Sequence, residues 1–243
     1  EPTASNVIHV AVDAGRHRCT PYSCRMAKQS TRLSREKIVS GAVALADAEG
    51  LDAVTIRRLA QENGVTPMAM YWHFNDKESL LDALGEHLLA SVVLPEPDGD
   101  EPWDVQLRAI LAAILAALRP HPTFAGLTMR RVLVAEPGLR LAERVLGLLA
   151  AGGVKPDRTA QVGTFLLCSV ISLVSFDADK SPAAGDAESD ERLRVKKVTL
   201  ESLPSARYPH VIAAASGLVG CRYDDSFFDL SLDLMVRGVH GLR

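Results

Sequence analysis

From Ile56 to Phe74 the chain reads IRRLAQENGVTPMAMYWHF, and its spacing leaves Thr66, Met68, Ala69, Tyr71, Trp72 and His73 on the outward side of a short helix. A hydroxyl, a thioether, a phenol, an indole and an imidazole presented together do non-covalent chemistry. They exchange hydrogen bonds, and they lie flat against apolar or methyl-bearing surfaces. The major groove of B-DNA offers both kinds of partner on its base edges. Such a face needs a rigid support, and the same stretch supplies one. Ala60 sits where two helices pass closely, and Gly64 falls at a turn where positive φ is easiest without a Cβ. Leu59, Val65, Met70 and Phe74 point inward and hold the two short helices at a fixed angle. This is the spacing of a helix-turn-helix.

Covalent chemistry is not in evidence. The sequence shows no nucleophile elbow, phosphate loop, metal triad or paired carboxylates within helical reach, so an enzyme is not expected. Asp224–Asp225 reads as a helix cap, and Asp229 with Asp233 as a solvated face. The cysteines, Cys19, Cys24, Cys168 and Cys221, form no CxxC pair and no Cys/His cluster with zinc spacing, so no metal and no cofactor are expected. Cys168 lies in an apolar stretch and reads as a small core residue.

The 243 residues are 47% hydrophobic and 23% charged, ample for a buried core in a soluble chain. The net charge of −3 argues weakly against a general nucleic-acid coat. Its distribution says more. Arg25, Lys28, Arg32, Arg35, Lys37, Arg57 and Arg58 face only Glu36, Asp47, Glu49 and Asp52, a local basic excess where phosphates would be met. An ordinary solvated face accounts for that pattern equally well. The longest apolar run, Ala109 to Leu118, is too short to span a bilayer, and the first 25 residues hold no continuous apolar core. A cytoplasmic protein with no membrane partner is therefore expected. Residues 1–27 lack helical periodicity and read as a disordered or non-native extension, with a functional arm as the alternative.

Ala- and Leu-rich stretches at helical spacing run through the rest, and no strand alternation or hairpin turn appears, so the fold class is all-α. Ser34 is the expected N-cap of a first helix that ends at Gly50, and Thr55 that of a second. Asn75–Asp76 turns into a fourth helix from about Lys77 to Val93. LPEPDGDEP over 94–102 is a linker. Trp103 to Leu118 is apolar nearly all round and belongs in the middle of a bundle. Helices are expected over 122–134, 137–151, 156–177, 207–217 and 225–241, with a polar loop over 177–191.

SREKIVSGAVALADAEG, VTIRRLAQENGV, MYWHFNDK and ESLLDAL together resemble the tetracycline-repressor (TetR) family of bacterial regulators, strongly over residues 33–90 and more loosely in YPHVIAAASG and FDLSLDLMVRGV. YWH and LLDAL place it near the branch of the tetracycline repressor. The resemblance implies a three-helix helix-turn-helix DNA-binding domain over 28–78 and a helical-bundle ligand-binding and dimerisation domain over 79–243. It implies that Thr55 touches a phosphate and that Arg57 grips a guanine edge. Thr66, Met68 and Ala69 then face bases, Tyr71, Trp72 and His73 meet the sugar-phosphate backbone, and Lys77 adds a phosphate contact. Thr66, Met68 and Ala69 differ from the tetracycline repressor's residues, which implies another operator, with Met68 and Ala69 suited to a thymine methyl.

One small recognition helix reads too few base pairs for useful specificity, whereas a two-fold dimer places two of them about 34–36 Å apart on double-stranded DNA. Phe165, Leu166, Val170, Ile171 and Val174 with Phe227, Leu230, Leu234 and Val239 are the expected homodimer face, because burying one side of each helix leaves an apolar patch. The resemblance also implies a small-molecule effector that moves the fourth helix. Its expected lining is His87, Trp103, Phe124, Met129, Phe165 and Ser172. Val92 or Val93 and Phe124 or Ala125 fall near where the tetracycline repressor's drug-binding histidines lie, so an apolar or amphipathic compound is expected rather than a metal–tetracycline complex. A ligand-responsive repressor is the leading expectation; an activator and a ligand-independent architectural DNA-binding protein remain the alternatives.

Overall fold

The computed structural model describes residues 33–96, 99–178, 187–220 and 224–242, and every described element is helical. The first helix, α1 (Arg35–Glu49), begins where the Ser34 hydroxyl oxygen accepts from the Lys37 amide. It ends at Gly50, whose φ of 86° suits a residue without Cβ. One side of α1 buries Ile38, Val39, Ala42, Leu45 and Ala46. A turn over Leu51–Ala53 leads to α2 (Ile56–Glu62) and α3 (Pro67–Tyr71), capped by Thr55 and Thr66. Then α4 (Lys77–Ala90) starts in a reciprocal capping box: Asp76 accepts from the Ser79 amide while the Ser79 hydroxyl accepts from the Asp76 amide. Its buried Leu80, Leu84 and Leu88 recur every turn, and α4 packs both on α1 and on helices of the second half.

The second half is built around α5 (Trp103–Leu118), which buries Leu107, Ile110, Leu111, Ile114, Leu115 and Leu118. It touches α7 (Glu136–Ala151), α8 (Pro156–Ala178) and α12 (Asp225–His240), as an element apolar nearly all round must. Charged pairs fasten α12 to α5: Arg108 reaches Asp233 at 2.6 Å and Asp229 at 3.1 Å, and Arg119 reaches Asp225 at 2.6 Å. By length and composition Pro156–Ser175 resembles a membrane span. Here Val162, Leu166, Val170 and Val174 are buried while Gln161, Thr164, Ser172 and Ser175 are exposed, and α8 packs on α5 and α7.

Three expectations on helices are corrected. The helix expected over 122–134 is only α6 (Thr128–Arg131) behind a 3-10 turn at Ala125–Leu127, because Pro122 and Gly126 break the run. The expected loop over 177–191 overlaps α9 (Ala187–Glu201), which packs on α10 (Pro209–Ala213) and α11 (Ala215–Gly220). Its sequence is rich in helix-favouring Glu, Arg, Lys and Leu, and polarity alone hid that propensity. The helix expected over 207–217 is the pair α10 and α11, broken at Ala214. Cys168 is half-buried; Cys19, Cys24, Cys221, Arg25, Lys28, Arg32 and the extension at 1–27 lie outside the described residues.

Candidate nucleic-acid interface

The turn between α2 and α3 is held by backbone. Gly64 has φ 65°, and the Val65 amide donates to the Ala60 carbonyl at 3.0 Å. Ala60, Leu59, Met70 and Phe74 are buried, and Val65 packs against them. Each short helix also has a hydroxyl at its start. Thr55 accepts from the Arg58 amide at 3.2 Å, and Thr66 from the Ala69 amide at 3.3 Å. A capping oxygen uses a lone pair, which leaves each hydroxyl proton free to meet an acceptor outside the protein.

What this scaffold holds outward is apolar and large. Trp72 is 86% exposed, Met68 70% and Tyr71 48%, while Ala69 and His73 are half-buried. Three side chains of this size in water cluster on α3 and the turn after it, an unusual arrangement for a monomer without a partner. Trp72 and His73 stand in the turn that follows α3 rather than on the helix itself, which ends at Tyr71.

The basic residues divide into two kinds. Arg58 is occupied within the protein, paired with Glu62 and Glu49 at 2.8 Å each. The Glu62 hydrogen bond and the nearby Glu49 charge raise its already high pKa. Arg57 and Lys77 are exposed and make no ion pair among the described residues, so their charge is available to an anion. Lys77 opens α4 beside the Asp76 cap, whose carboxyl is lowered first by the Ser79 amide and then by the Ser79 hydroxyl. Arg35, which sequence reasoning left in the general basic excess, donates from Nη1 to the His73 carbonyl at 2.9 Å. Nothing local in the sequence marks that contact, because the two residues are 38 positions apart.

A second region is an apolar cavity of about 240 Å³ between α5, α6, α7 and α8, bounded by Leu111, Met129, Val145, Gly163, Thr164 and Leu167 among others. Of the six expected lining residues the structure brings only Met129 there. Positions 160, 163, 164 and 167 of α8 face the cavity at helical spacing, which turns Phe165 to the opposite side, 61% exposed, and leaves Ser172 on the surface. Phe124 is 2% exposed beside the His121 ring. Trp103 lies on the His240 ring at 5.0 Å, and His87 is exposed.

The expected dimer face divides in the same way. Leu166, Val170, Ile171, Val174 and Val239 belong to the protomer's own core, while Phe165, Leu230 and Leu234 are exposed. Phe227 is half-buried. Between α8 and α12 runs a groove of about 550 Å³ whose walls include Val162, Phe165, Leu173, Leu234 and Met235. Among the described residues no group of three or more His, Cys, Asp and Glu is placed to hold a metal ion.

Residues 38–84 match the family model for bacterial regulatory proteins of the tetR family, and residues 94–242 match the tetracyclin repressor-like C-terminal domain. The chain belongs to the TetR family. It is thereby a helix-turn-helix, DNA-binding transcriptional regulator, and its helical second half is the family's C-terminal domain. This TetR-family chain is 28% identical to the tetracycline repressor protein class G of Vibrio anguillarum over 218 residues, 88% of this chain and 96% of that one. It is 28% identical to the HTH-type transcriptional repressor DrrR1 of Streptomyces coeruleorubidus over 204 residues, 82% of this chain and 74% of that one. In structure it is similar to the TetR family protein ActR of Streptomyces coelicolor in complex with actinorhodin, with a TM-score of 0.73 and 27% identity, covering 86% of this chain and 97% of that one.

Proposed function

We propose that this protein is a cytoplasmic repressor that binds a palindromic operator as a homodimer and is released by a small apolar molecule, with no catalytic step. The observation that carries the reading is the outward set of Trp72, Met68 and Tyr71, with Arg57 and Lys77 exposed and in no ion pair among the described residues. Thr55 and Lys77 meet phosphates, and Arg57 grips a guanine. Thr66, Met68 and Ala69 face bases, with a thymine methyl against Met68. Tyr71, Trp72 and His73 lie along the backbone.

The exposed Phe165, Leu230 and Leu234 support pairing through α8 and α12, since a lone protomer leaves them in water. The cavity beside α6 supports an apolar effector: among the described residues its lining is almost wholly hydrocarbon, with no histidine or carboxylate. That ActR is seen with actinorhodin supports a ligand-responsive reading of the same fold. We divide the chain into a DNA-binding part over 28–78 and an effector and dimerisation part over 79–243, with α4 packed on both.

The test is selection of bound duplexes from random DNA by the purified protein. The expected result is a palindromic site whose affinity falls steeply with salt, with selectivity lost in Arg57→Ala. Sedimentation should give a dimer at micromolar concentration. A monomer, or binding without sequence preference, refutes the reading.

A further inference from the structure

A helix of five residues, as α3 is, cannot hold its own geometry in water, so its angle is set by the buried Met70 and by what fastens its two ends. Its N-terminal end is secured by the Thr66 cap and by the Val65 amide on the Ala60 carbonyl. At the other end the His73 and Phe74 amides both donate to the Met70 carbonyl, at 2.9 and 3.0 Å, and the chain then turns toward α4. The His73 carbonyl lies past the last turn of α3 and has no amide of that helix to accept from. It accepts from Arg35 Nη1 at 2.9 Å.

The same guanidinium lies 4.4 Å from the centroid of the Phe74 ring, and Phe74 is 1% exposed. One planar group therefore makes a directed hydrogen bond to His73 and a face contact with the adjacent buried ring. Its root is the first residue of α1. A lysine has a single nitrogen where the guanidinium has a planar group of three, so it does not reproduce the Nη1 hydrogen bond together with the flat contact on the ring.

We propose that Arg35 is the positioning residue of the recognition element. It closes the end of α3 from α1, and so sets the angle at which Trp72 and Met68 are offered. This rests on the DNA-reading role proposed above and adds to it a residue that acts through protein contacts rather than on the nucleic acid. The bland alternative is that Arg35 is one more phosphate contact at a basic edge.

The experiment compares wild type, Arg35→Ala and Arg35→Lys on two duplexes at several salt concentrations: the site that wild type selects from random DNA, and a scrambled duplex of equal length. Melting temperatures are recorded alongside. Arg35 is exposed, so both variants are expected to fold. If Arg35 positions α3, affinity for the selected site falls roughly tenfold, comparable to one mismatched base pair. The scrambled duplex then changes by less than about twofold, the salt slope is kept, and R35K fails to rescue. In the free protein the indole N–H resonance of Trp72 should move in both variants while that of Trp103 stays. Equal loss on both duplexes, a slope lower by about one, and rescue by R35K would make Arg35 a phosphate contact and overturn the proposal. Full selectivity in R35A with an unmoved Trp72 resonance also overturns it, while leaving the DNA-reading role intact. A wild-type protein that selects no site removes that role, and this one with it.

Discussion

Gly85→Ala asks how tightly α4 is keyed to the turn at Leu127 and to α6. A Cβ at Gly85 would lie 2.7 Å from the Leu127 carbonyl oxygen, 3.0 Å from its carbon and 3.2 Å from Arg131 Cγ. To reach an ordinary contact of 3.4 Å, helix and turn must separate by about 0.7 Å. If α4 yields by pivoting at Ala90, five residues beyond, Lys77 lies thirteen residues from the pivot. At 1.5 Å per residue the arms are about 7.5 and 19.5 Å, so Lys77 moves by about 1.8 Å. In a two-fold dimer the two displacements change the separation of the reading heads by up to about 3.6 Å, a tenth of the roughly 34–36 Å between half-sites. The stability terms oppose each other. Overpacking costs about 1–3 kcal/mol, and exchanging Gly for Ala in a helix returns about 1 kcal/mol. The net loss is at most about 2 kcal/mol, so the melting temperature should fall by no more than about 4–8 °C. Operator affinity should fall by at least the cost of one mismatched base pair, about 1–3 kcal/mol, measured by fluorescence anisotropy on the selected site. A variant that melts higher and binds with unchanged affinity would refute the tight coupling of α4 to the turn at Leu127.

Gly64→Val should lose about 1–2 kcal/mol, because a branched side chain at φ 65° is strained whatever space surrounds it; chemical denaturation measures this. Thr55→Ala removes the α2 cap and should cost about 1 kcal/mol of stability, in addition to any operator contact, and comparing melting with DNA affinity separates the two. Phe165→Glu with Leu234→Glu places charge on the exposed apolar face of α8 and α12, so sedimentation should show monomers and half-site affinity only. Acid stability should follow the caps. The Ser79 amide and hydroxyl lower Asp76, and the Ser226 hydroxyl with the Phe227 amide lowers Asp224. Both caps contribute fully above the ordinary aspartate value of 3.8 and lose their contribution as pH falls through the lowered folded values. Asp76→Asn with Asp224→Asn should flatten that acid limb of the melting curve.

Much of the reading unit was legible because its rules are local. Ser34, Thr55 and Asp76 are caps within three residues of the amides they bind, and Gly50 and Gly64 mark turns by backbone freedom alone. The C-terminal part of α5 follows from the apolar run Ala109–Leu118, and its start from the Pro-rich linker that precedes Trp103. Elsewhere local rules misled. Apolar periodicity says that a residue is buried but not against what, so Leu166 and Val174 were assigned to a partner when the protomer itself covers them. Phe165, one residue from Leu166, points the other way. In α9 the apolar residues Leu193, Val195 and Val198 form no regular stripe, and a polar stretch with good helix propensity passed for a loop.

The order of residues, through caps, turns and apolar spacing, was enough to establish an all-α chain with a DNA-reading helix pair, since each of those effects acts within a turn or two of backbone. Contacts between distant positions were beyond its reach. That Arg58 is spent on Glu49 and Glu62 while Arg57 is not, that Arg35 meets His73, and that a cavity opens beside Met129 rather than Phe165 all depend on how helices cross. Crossing angles come from the summed packing of whole faces, a quantity that no short window of residues contains.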